Sequence, residues 1–178
     1  MRTRKVLLND GKSDEPGIEL FTKAGITTDT AKKDPKTLVE VVGNYDALIV
    51  RSATQVTPEV LEAGRNGYLK IVGRAGVGVD NIKTLDVASE KGIIVKFAPY
   101  GNTNSAAQMA LSLILGVSRN IPQAHYSLKN GIWLKKQFEG VEITSDTVLG
   151  IIGCGRVGQR LSELVHGLDM KVVGYDIE

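Results

Sequence analysis

The chain has 178 residues, of which 42% are hydrophobic and 24% are charged, and this composition excludes an intrinsically disordered chain. Its 22 lysine and arginine residues nearly balance its 20 aspartate and glutamate residues, so its charge predicts neither a nucleic-acid partner nor a membrane partner. With one cysteine and two histidines, neither a disulfide framework nor a metal site is expected.

The amino-terminal segment carries no recognisable targeting signal. Its apolar run, residues 6–8, is too short for a signal peptide or a membrane span. We therefore expect the protein in the reducing cytoplasm.

Short apolar runs rich in β-branched residues recur along the chain, and spacers of helical length separate most of them. They lie at residues 6–8, 47–50, 69–72, 93–95, 148–152 and 171–173. Strands that are apolar on both faces and alternate with helices are typical of a parallel sheet covered on both sides. Helix-end signals agree with this α/β pattern, with proline at two starts and glycine at two ends: Asp34-Pro35, Thr57-Pro58, Gly25 and Gly92.

One long helix interrupts the alternation of strands and helices. It is predicted from Ser105 to about Ser118, with Ser105 and Gln108 forming a capping box at its start. A helix of this length, in this place, is typical of a crossover between two lobes. We therefore place a domain boundary near residues 99–101, with residues 1–99 in the first lobe and residues 100–178 in the second.

A glycine-rich turn follows the fifth apolar run. Gly153, Gly155 and Gly158 form a GxGxxG motif between a predicted strand and a predicted helix, and a second strand then ends at Asp176, 18 residues beyond Gly158. In a dinucleotide site such glycines allow the tight turn, the approach of the pyrophosphate and close helix packing, and the carboxylate binds ribose hydroxyls. The alternative is a purely structural glycine turn.

The side chains around this turn indicate the type of dinucleotide. Asp176 favours NAD over NADP because a carboxylate repels a 2′-phosphate. Arg156 is expected to contact the pyrophosphate, although an ordinary surface arginine is the alternative. Cys154 is expected to be a small packing residue rather than a redox thiol.

Two predicted strands are followed by arginine, at Arg51 and Arg74. Ligands bind at the carboxyl ends of parallel strands, and a guanidinium there can hold a carboxylate or phosphate through two hydrogen bonds. Gly76 and Gly78 are expected to leave open backbone N–H groups beside Arg74. Either arginine alone could be a surface residue, but two at equivalent strand ends favour an anion site.

Several segments in this order and spacing resemble the NAD-dependent D-2-hydroxyacid dehydrogenases. They are residues 51–54, 73–81, 98–103, 119–124, 131–133 and the glycine turn. The resemblance covers nearly the whole chain and implies a flavodoxin-like parallel-sheet substrate lobe, followed by the first βαβ unit of a Rossmann cofactor lobe. It also implies hydride transfer between substrate C2 and the nicotinamide of NAD, and a homodimer or homotetramer of the complete protein.

The resemblance assigns roles by position. The substrate-binding positions are Arg51, Arg74, Gly76, Val77, Gly78, Asn102 and Lys135. The cofactor-binding positions are Val77, Gly153, Gly155, Arg156, Val157, Gly158 and Asp176. The arginine pair favours the branch of the family that oxidises 3-phosphoglycerate to 3-phosphohydroxypyruvate in serine biosynthesis. A glyoxylate or hydroxypyruvate reductase, and a non-catalytic dinucleotide-binding paralogue, stay open as alternatives.

The family's catalytic arginine, histidine and glutamate follow the second cofactor-lobe strand, so no catalytic residue is predicted in this chain. His125 and His166 are expected to be surface or interface residues, and the chain alone is expected to be inactive. The unpaired edge of a two-stranded cofactor sheet is expected to cause self-association.

Four positions depart from the family pattern. Phe97 and Tyr100 replace two amide side chains, Lys135 replaces an arginine that can reach a neighbouring subunit's substrate, and Gln108 replaces a common glutamate. We expect these changes to affect substrate affinity and hinge geometry but not the fold.

Overall fold

The computed structural model describes residues 2–11, 15–82 and 85–177. The chain divides into two compact units, Met1–Gly101 and Asn102–Glu178, and this division falls next to the predicted boundary at residues 99–101. What each unit binds stays a prediction.

The first unit alternates strands and helices around one parallel sheet. Its elements are β1 (Lys5–Leu8), α1 (Glu15–Lys23), β2 (Thr27–Asp29), α2 (Pro35–Val41), a 3₁₀ turn (Val42–Asn44), β3 (Ala47–Val50), α3 (Pro58–Arg65), β4 (Ile71–Arg74), α4 (Leu85–Glu90) and β5 (Ile94–Phe97). The strand order is β2-β1-β3-β4-β5, and all four neighbouring pairs are parallel. The predicted flavodoxin-like α/β fold is confirmed.

The central strands form the core because they are apolar on both faces. Leu7 of β1, Leu48 of β3 and Val72 of β4 are each 0% exposed, and Leu38 and Leu61 cover them from α2 and α3. This burial removes apolar surface from water, which is the main favourable term in folding.

The helix starts that the sequence predicted at proline are confirmed for α2 and α3. Asp34 caps α2, and one of its carboxylate oxygens accepts the N–H groups of Lys36 and Thr37 at 3.0 and 3.1 Å. Hydrogen bonds from the Thr37 hydroxyl and N–H, together with that from Lys36, lower the pKa of Asp34. Pro35 fits the first helical position because its missing N–H has no partner there in any helix.

Strand β2 was missed because its three residues, Thr27–Asp29, show no apolar run. It pairs with β1 at the sheet edge, and it carries Asp29, whose Oδ2 accepts the Tyr45 hydroxyl at 2.6 Å. Burial and this hydrogen bond raise the pKa of Tyr45 to about 12. Burial opposes ionisation of Asp29, but the bonds from Tyr45, Ala31 and Lys33 outweigh it and lower the pKa of that carboxyl.

The second unit has a two-stranded parallel sheet. Its elements are α5 (Thr103–Ser118), α6 (Ile121–Lys129), a 3₁₀ turn (Lys135–Gln137), β6 (Val148–Ile152), α7 (Arg156–His166) and β7 (Lys171–Tyr175). Strands β6 and β7 pair over five residues, α7 connects them, and α5 packs along α7. The predicted βαβ unit is confirmed.

The capping box predicted at the start of α5 is wrong. The helix begins at Thr103, two residues before Ser105, and Asn102 occupies the N-cap position. The Ser105 hydroxyl donates to the carbonyl oxygen of Asn102 at 3.0 Å, so it satisfies a carbonyl of the preceding turn instead of capping N–H groups.

The second unit buries little of its apolar surface. Among its described residues, the buried hydrophobic side chains are Ala107, Val165 and Met170, whereas Ile152 of β6 is 91% exposed and Tyr175 of β7 is 65% exposed. None of the described helices has both the length and the apolar character that crossing a membrane requires.

Candidate functional site

The carboxyl ends of β3 and β4 bring the two predicted anion-binding arginines to the same edge of the sheet. Arg74 is the Cα partner of Val50, the residue before Arg51, and the N–H of Ala75 donates to the carbonyl of Val50 at 2.8 Å. Neighbouring parallel strands lie about 4.8 Å apart. The two arginines therefore leave adjacent strands side by side.

Arg74 is folded against its own loop. Its Nε is buried and, within the residues that the structure describes, has no hydrogen-bond partner. Its guanidinium lies so close to Gly76 that a Cβ there would overlap Nη1. Gly76 therefore provides space for Arg74, and the Nε–H is a buried donor that the described residues leave unsatisfied.

The prediction that Gly76 presents an open N–H is wrong. That N–H donates to the carbonyl oxygen of Arg74 at 2.9 Å, which closes the turn after β4. Across the described part of the chain, no hydrogen-bond partner is found for the N–H groups of Val77 and Gly78. These two groups lie next to Gly76 and are available as donors in this loop. The carboxylate of Asp80 lies against Gly78, where a Cβ would come within 2.7 Å of Oδ2.

A cavity of about 300 Å³ opens beside Arg51. It lies between β1 and β3, where the strand order reverses, which is the usual place for ligands in open α/β sheets. Its walls include Leu8, Ile18, Phe21 and Ile49 as well as Arg51. The sequence did not predict this cavity because the strand order decides which strand ends flank it.

In the second unit, the glycine turn joins β6 to α7. Gly153 has φ of +97°, a conformation that L side chains rarely adopt, and its N–H donates to the carbonyl oxygen of Tyr175 at 2.8 Å. Around Gly155, the N-cap residue of α7, no atom lies within 4 Å of the position of a Cβ. A Cβ at Gly158 would overlap the carbonyl oxygen of Gly153. A different geometric feature therefore explains glycine at each of the three positions, and the role of these glycines in binding stays a prediction.

Asp176 lies directly at this turn. Its Oδ2 accepts the N–H of Cys154 at 2.5 Å, and its Oδ1 accepts the N–H of Ile177 at 2.8 Å. The Cys154 sulfur packs against Gly174, where a Cβ would come within 2.6 Å of it, as expected for a packing residue. The carboxylate is therefore held next to the open space at Gly155 and the positive end of α7.

The other predicted positions are exposed. Arg156 and Val157 begin α7, Asn102 precedes α5 without a side-chain capping bond, and Lys135 lies in a 3₁₀ turn. His125 is exposed on α6. His166 ends α7, about 15 Å from Arg156 at a rise of about 1.5 Å per residue, so it is remote from the glycine turn.

Comparisons with known proteins agree with this geometry. Residues 6–168 match the family described as D-isomer specific 2-hydroxyacid dehydrogenase, catalytic domain. The chain is 42% identical to D-3-phosphoglycerate dehydrogenase of Archaeoglobus fulgidus over 179 residues, which cover 97% of this chain and 32% of that protein. It spans about a third of the length of the curated relatives it matches.

Two solved structures show the same fold. The TT0316 protein of Thermus thermophilus superposes with a TM-score of 0.87 at 24% identity, over 98% of this chain and 56% of that chain. The NAD⁺-bound 3-phosphoglycerate dehydrogenase of Entamoeba histolytica superposes with a TM-score of 0.75 at 27% identity, over 99% of this chain and 55% of that chain.

Proposed function

The chain belongs to the D-isomer specific 2-hydroxyacid dehydrogenase family, and on this premise we propose that it supplies the substrate anion site and the dinucleotide turn of an NAD-dependent 3-phosphoglycerate dehydrogenase. The proposed reaction oxidises 3-phosphoglycerate to 3-phosphohydroxypyruvate in serine biosynthesis. The observation that carries the proposal is the pair Arg51 and Arg74 at adjacent strand ends, with the buried Nε of Arg74 lacking an acceptor among the described residues.

The charge of the substrate explains why two arginines are useful. A phosphate monoester carries about −1.5 to −2 charges at neutral pH, and 3-phosphoglycerate adds a carboxylate. Two guanidinium groups can hold both ends of such a ligand with charge-assisted hydrogen bonds, and the N–H groups of Val77 and Gly78 can add to them. An unphosphorylated 2-hydroxy acid needs only one such group.

The residues of the glycine turn fit NAD. The open space at Gly155 supports the approach of a pyrophosphate to the start of α7, and in this proposal the carboxylate of Asp176 accepts ribose hydroxyls and repels a 2′-phosphate. Bound NAD supplies the hydride acceptor for the oxidation of C2. The chain's own contribution is to bind the dinucleotide at Gly153, Gly155 and Gly158 and to orient the substrate through the two arginines.

Proton transfer is outside the roles we assign to these residues. His125 and His166 are exposed on helices, and neither belongs to the arginine edge or to the glycine turn. A positioned acid or base contributes about 10²–10⁴-fold to such reactions. We therefore propose that the 178-residue chain by itself binds ligands without turnover. In the complete protein we propose a cytoplasmic homodimer or homotetramer, with Asn102 and Lys135 as further substrate contacts.

The test of the cofactor site is a fluorescence titration with NADH. We expect saturable binding by the parent chain and at least tenfold weaker binding after Gly155→Ala or Asp176→Ala. Unchanged affinity in both variants would refute the dinucleotide turn.

The test of the substrate class is a calorimetric titration with 3-phosphoglycerate, glyoxylate and hydroxypyruvate, using the parent, Arg51→Lys and Arg74→Lys. We expect preference for the phosphorylated ligand and weaker binding in both variants, because lysine keeps the charge but loses the bidentate geometry. Equal affinity for all three acids favours a reductase. Binding of NADH without any of the acids favours a non-catalytic dinucleotide-binding paralogue.

A further inference from the structure

The turn of residues 51–54, which carries Arg51 away from β3, is held through its N–H groups by one carboxylate. Oδ2 of Asp10 accepts the N–H of Arg51 at 2.5 Å and the N–H of Thr54 at 3.3 Å. Oδ1 of the same residue accepts the Thr54 hydroxyl at 2.5 Å. Asp10 lies in the turn that follows β1, so the first and last residues of the 51–54 turn are both bonded to the loop after the neighbouring strand.

The carbonyl groups of the same two residues are held by one amide. Nδ2 of Asn81 donates to the carbonyl oxygen of Arg51 at 2.7 Å and to that of Thr54 at 2.7 Å. Asn81 is only 4% exposed, and its backbone carbonyl oxygen accepts the N–H of Val56 at 2.8 Å, which fixes the backbone that carries the side-chain amide. The turn is therefore held at both its N–H and its C=O groups by side chains from two different loops.

A second buried amide connects this arrangement to another loop of the sheet edge. Nδ2 of Asn9 donates to Oγ1 of Thr54 at 2.9 Å and to the carbonyl oxygen of Lys33 at 3.2 Å, and its Oδ1 accepts the N–H of Lys33 at 2.8 Å. Asn9 is 1% exposed. The loops that follow β1, β2, β3 and β4 are thus joined through hydrogen bonds at the edge where the arginines lie.

We propose that Asp10 and Asn81 are positioning residues for Arg51, and this inference rests on the proposed function. By bonding both the N–H and the C=O groups of the 51–54 turn, they hold the backbone of Arg51 at a constant distance from Arg74. One ligand can then contact both guanidinium groups. Preorganisation lowers the ordering cost of binding, because the backbone need not be immobilised when the anion arrives. Asp10 has the wrong charge to attract an anion, which is consistent with a role in positioning.

Asn81 gives the sharper test because its substitution need not add or remove a full charge. Asn81→Leu has similar volume, leaves the charge unchanged and lacks the Nδ2 donors. We expect this change to weaken 3-phosphoglycerate binding about tenfold in calorimetry and to leave NADH affinity unchanged, because the glycine turn belongs to the other unit. A tenfold change corresponds to about 1.4 kcal/mol.

A double-mutant cycle distinguishes positioning from general destabilisation. If Asn81 acts through Arg51, Asn81→Leu has no further effect on 3-phosphoglycerate affinity in an Arg51→Ala background. Additive effects would overturn the inference. Val6→Ala is the matched control, since Val6 is 3% exposed at the opposite end of β1 and its truncation lowers stability without contacting the turn. Loss of affinity equal to that of Asn81→Leu in this control would also overturn it.

Amide hydrogen exchange provides a second, direct readout. We expect the N–H groups of Arg51 and Thr54 to be protected in the parent and to exchange at least tenfold faster in Asn81→Leu, while those of β1 stay protected. If the Arg51 and Thr54 N–H groups exchange at the same rate in Asn81→Leu and in the parent, the positioning role of Asn81 is refuted even if affinity falls. The proposed function is refuted separately if Arg51→Ala and Arg74→Ala leave 3-phosphoglycerate affinity unchanged. A parent chain that does not bind 3-phosphoglycerate refutes both the proposed function and the positioning role of Asp10 and Asn81.

Discussion

Replacing Gly158 with alanine tests how the glycine turn is built. The added Cβ would overlap the carbonyl oxygen of Gly153 and lie 3.1 Å from Cγ2 of Ile151. The overlapping atom is backbone, in a turn whose φ of +97° leaves few alternative conformations. Overpacking costs about 1–3 kcal/mol, and we expect the upper end here because no flexible side chain can move away. Alanine is about 1 kcal/mol more favourable than glycine within a helix, so we expect the free energy of unfolding to fall by about 2 kcal/mol in total.

Gly155→Ala should have the opposite consequence. No atom lies within 4 Å of the added Cβ, and Gly155 has a φ of −69°, which alanine adopts readily. We expect the free energy of unfolding to change by about 0.5 kcal/mol or less, since a weaker N-cap and a less flexible unfolded chain offset each other. NADH affinity should nevertheless fall at least tenfold, because the methyl group occupies the space that the pyrophosphate needs.

The assay for both variants is urea unfolding followed by circular dichroism, combined with NADH titration. Gly150→Ala is the matched control, because it also adds a methyl group in open space but lies within β6, before the turn. A Gly158→Ala protein as stable as the parent would refute the packing argument. A Gly155→Ala protein with unchanged NADH affinity would refute the nucleotide site.

Three further predictions concern stability and association. Burial and the bond to Asp29 raise the pKa of Tyr45 from 10.0 to about 12, so the folded state keeps this hydroxyl protonated and loses stability as the pH rises from 10 towards 12. A spectrophotometric titration in which Tyr45→Phe does not remove a late-titrating tyrosine contradicts this. Leu48→Ala should cost about 2–5 kcal/mol in urea unfolding, because Leu48 is 0% exposed, whereas Leu20→Ala, at a position 68% exposed, should cost less than about 0.5 kcal/mol. The chain should self-associate through the exposed apolar residues of β6 and β7, and Ile152→Lys should lower its mass in light scattering; a monodisperse parent monomer would speak against this.

Much of the fold could be predicted because its signals are local. The apolar runs at β3 and β6 coincide with the observed strands, and proline after Asp34 and Thr57 begins helices because a fixed φ and a missing N–H suit only the first helical turn. The start of α5 was misplaced because Asn102, Thr103, Asn104 and Ser105 are all residue types that favour caps, and their chemistry alone does not select one.

The candidate site divides in the same way. Arg51, Arg74, the glycine motif and Asp176 were identifiable because each stands at a fixed offset from a predicted strand, and such offsets are properties of the chain itself. Only the tertiary structure shows the remaining features. These are the strand order, the cavity beside Arg51, the bond of the Gly76 N–H within its own loop, and the hydrogen bonds of Asp10 and Asn81 to the 51–54 turn. They depend on which distant segments meet, since a side chain that bonds backbone 30 or more residues away leaves no periodic trace in the sequence.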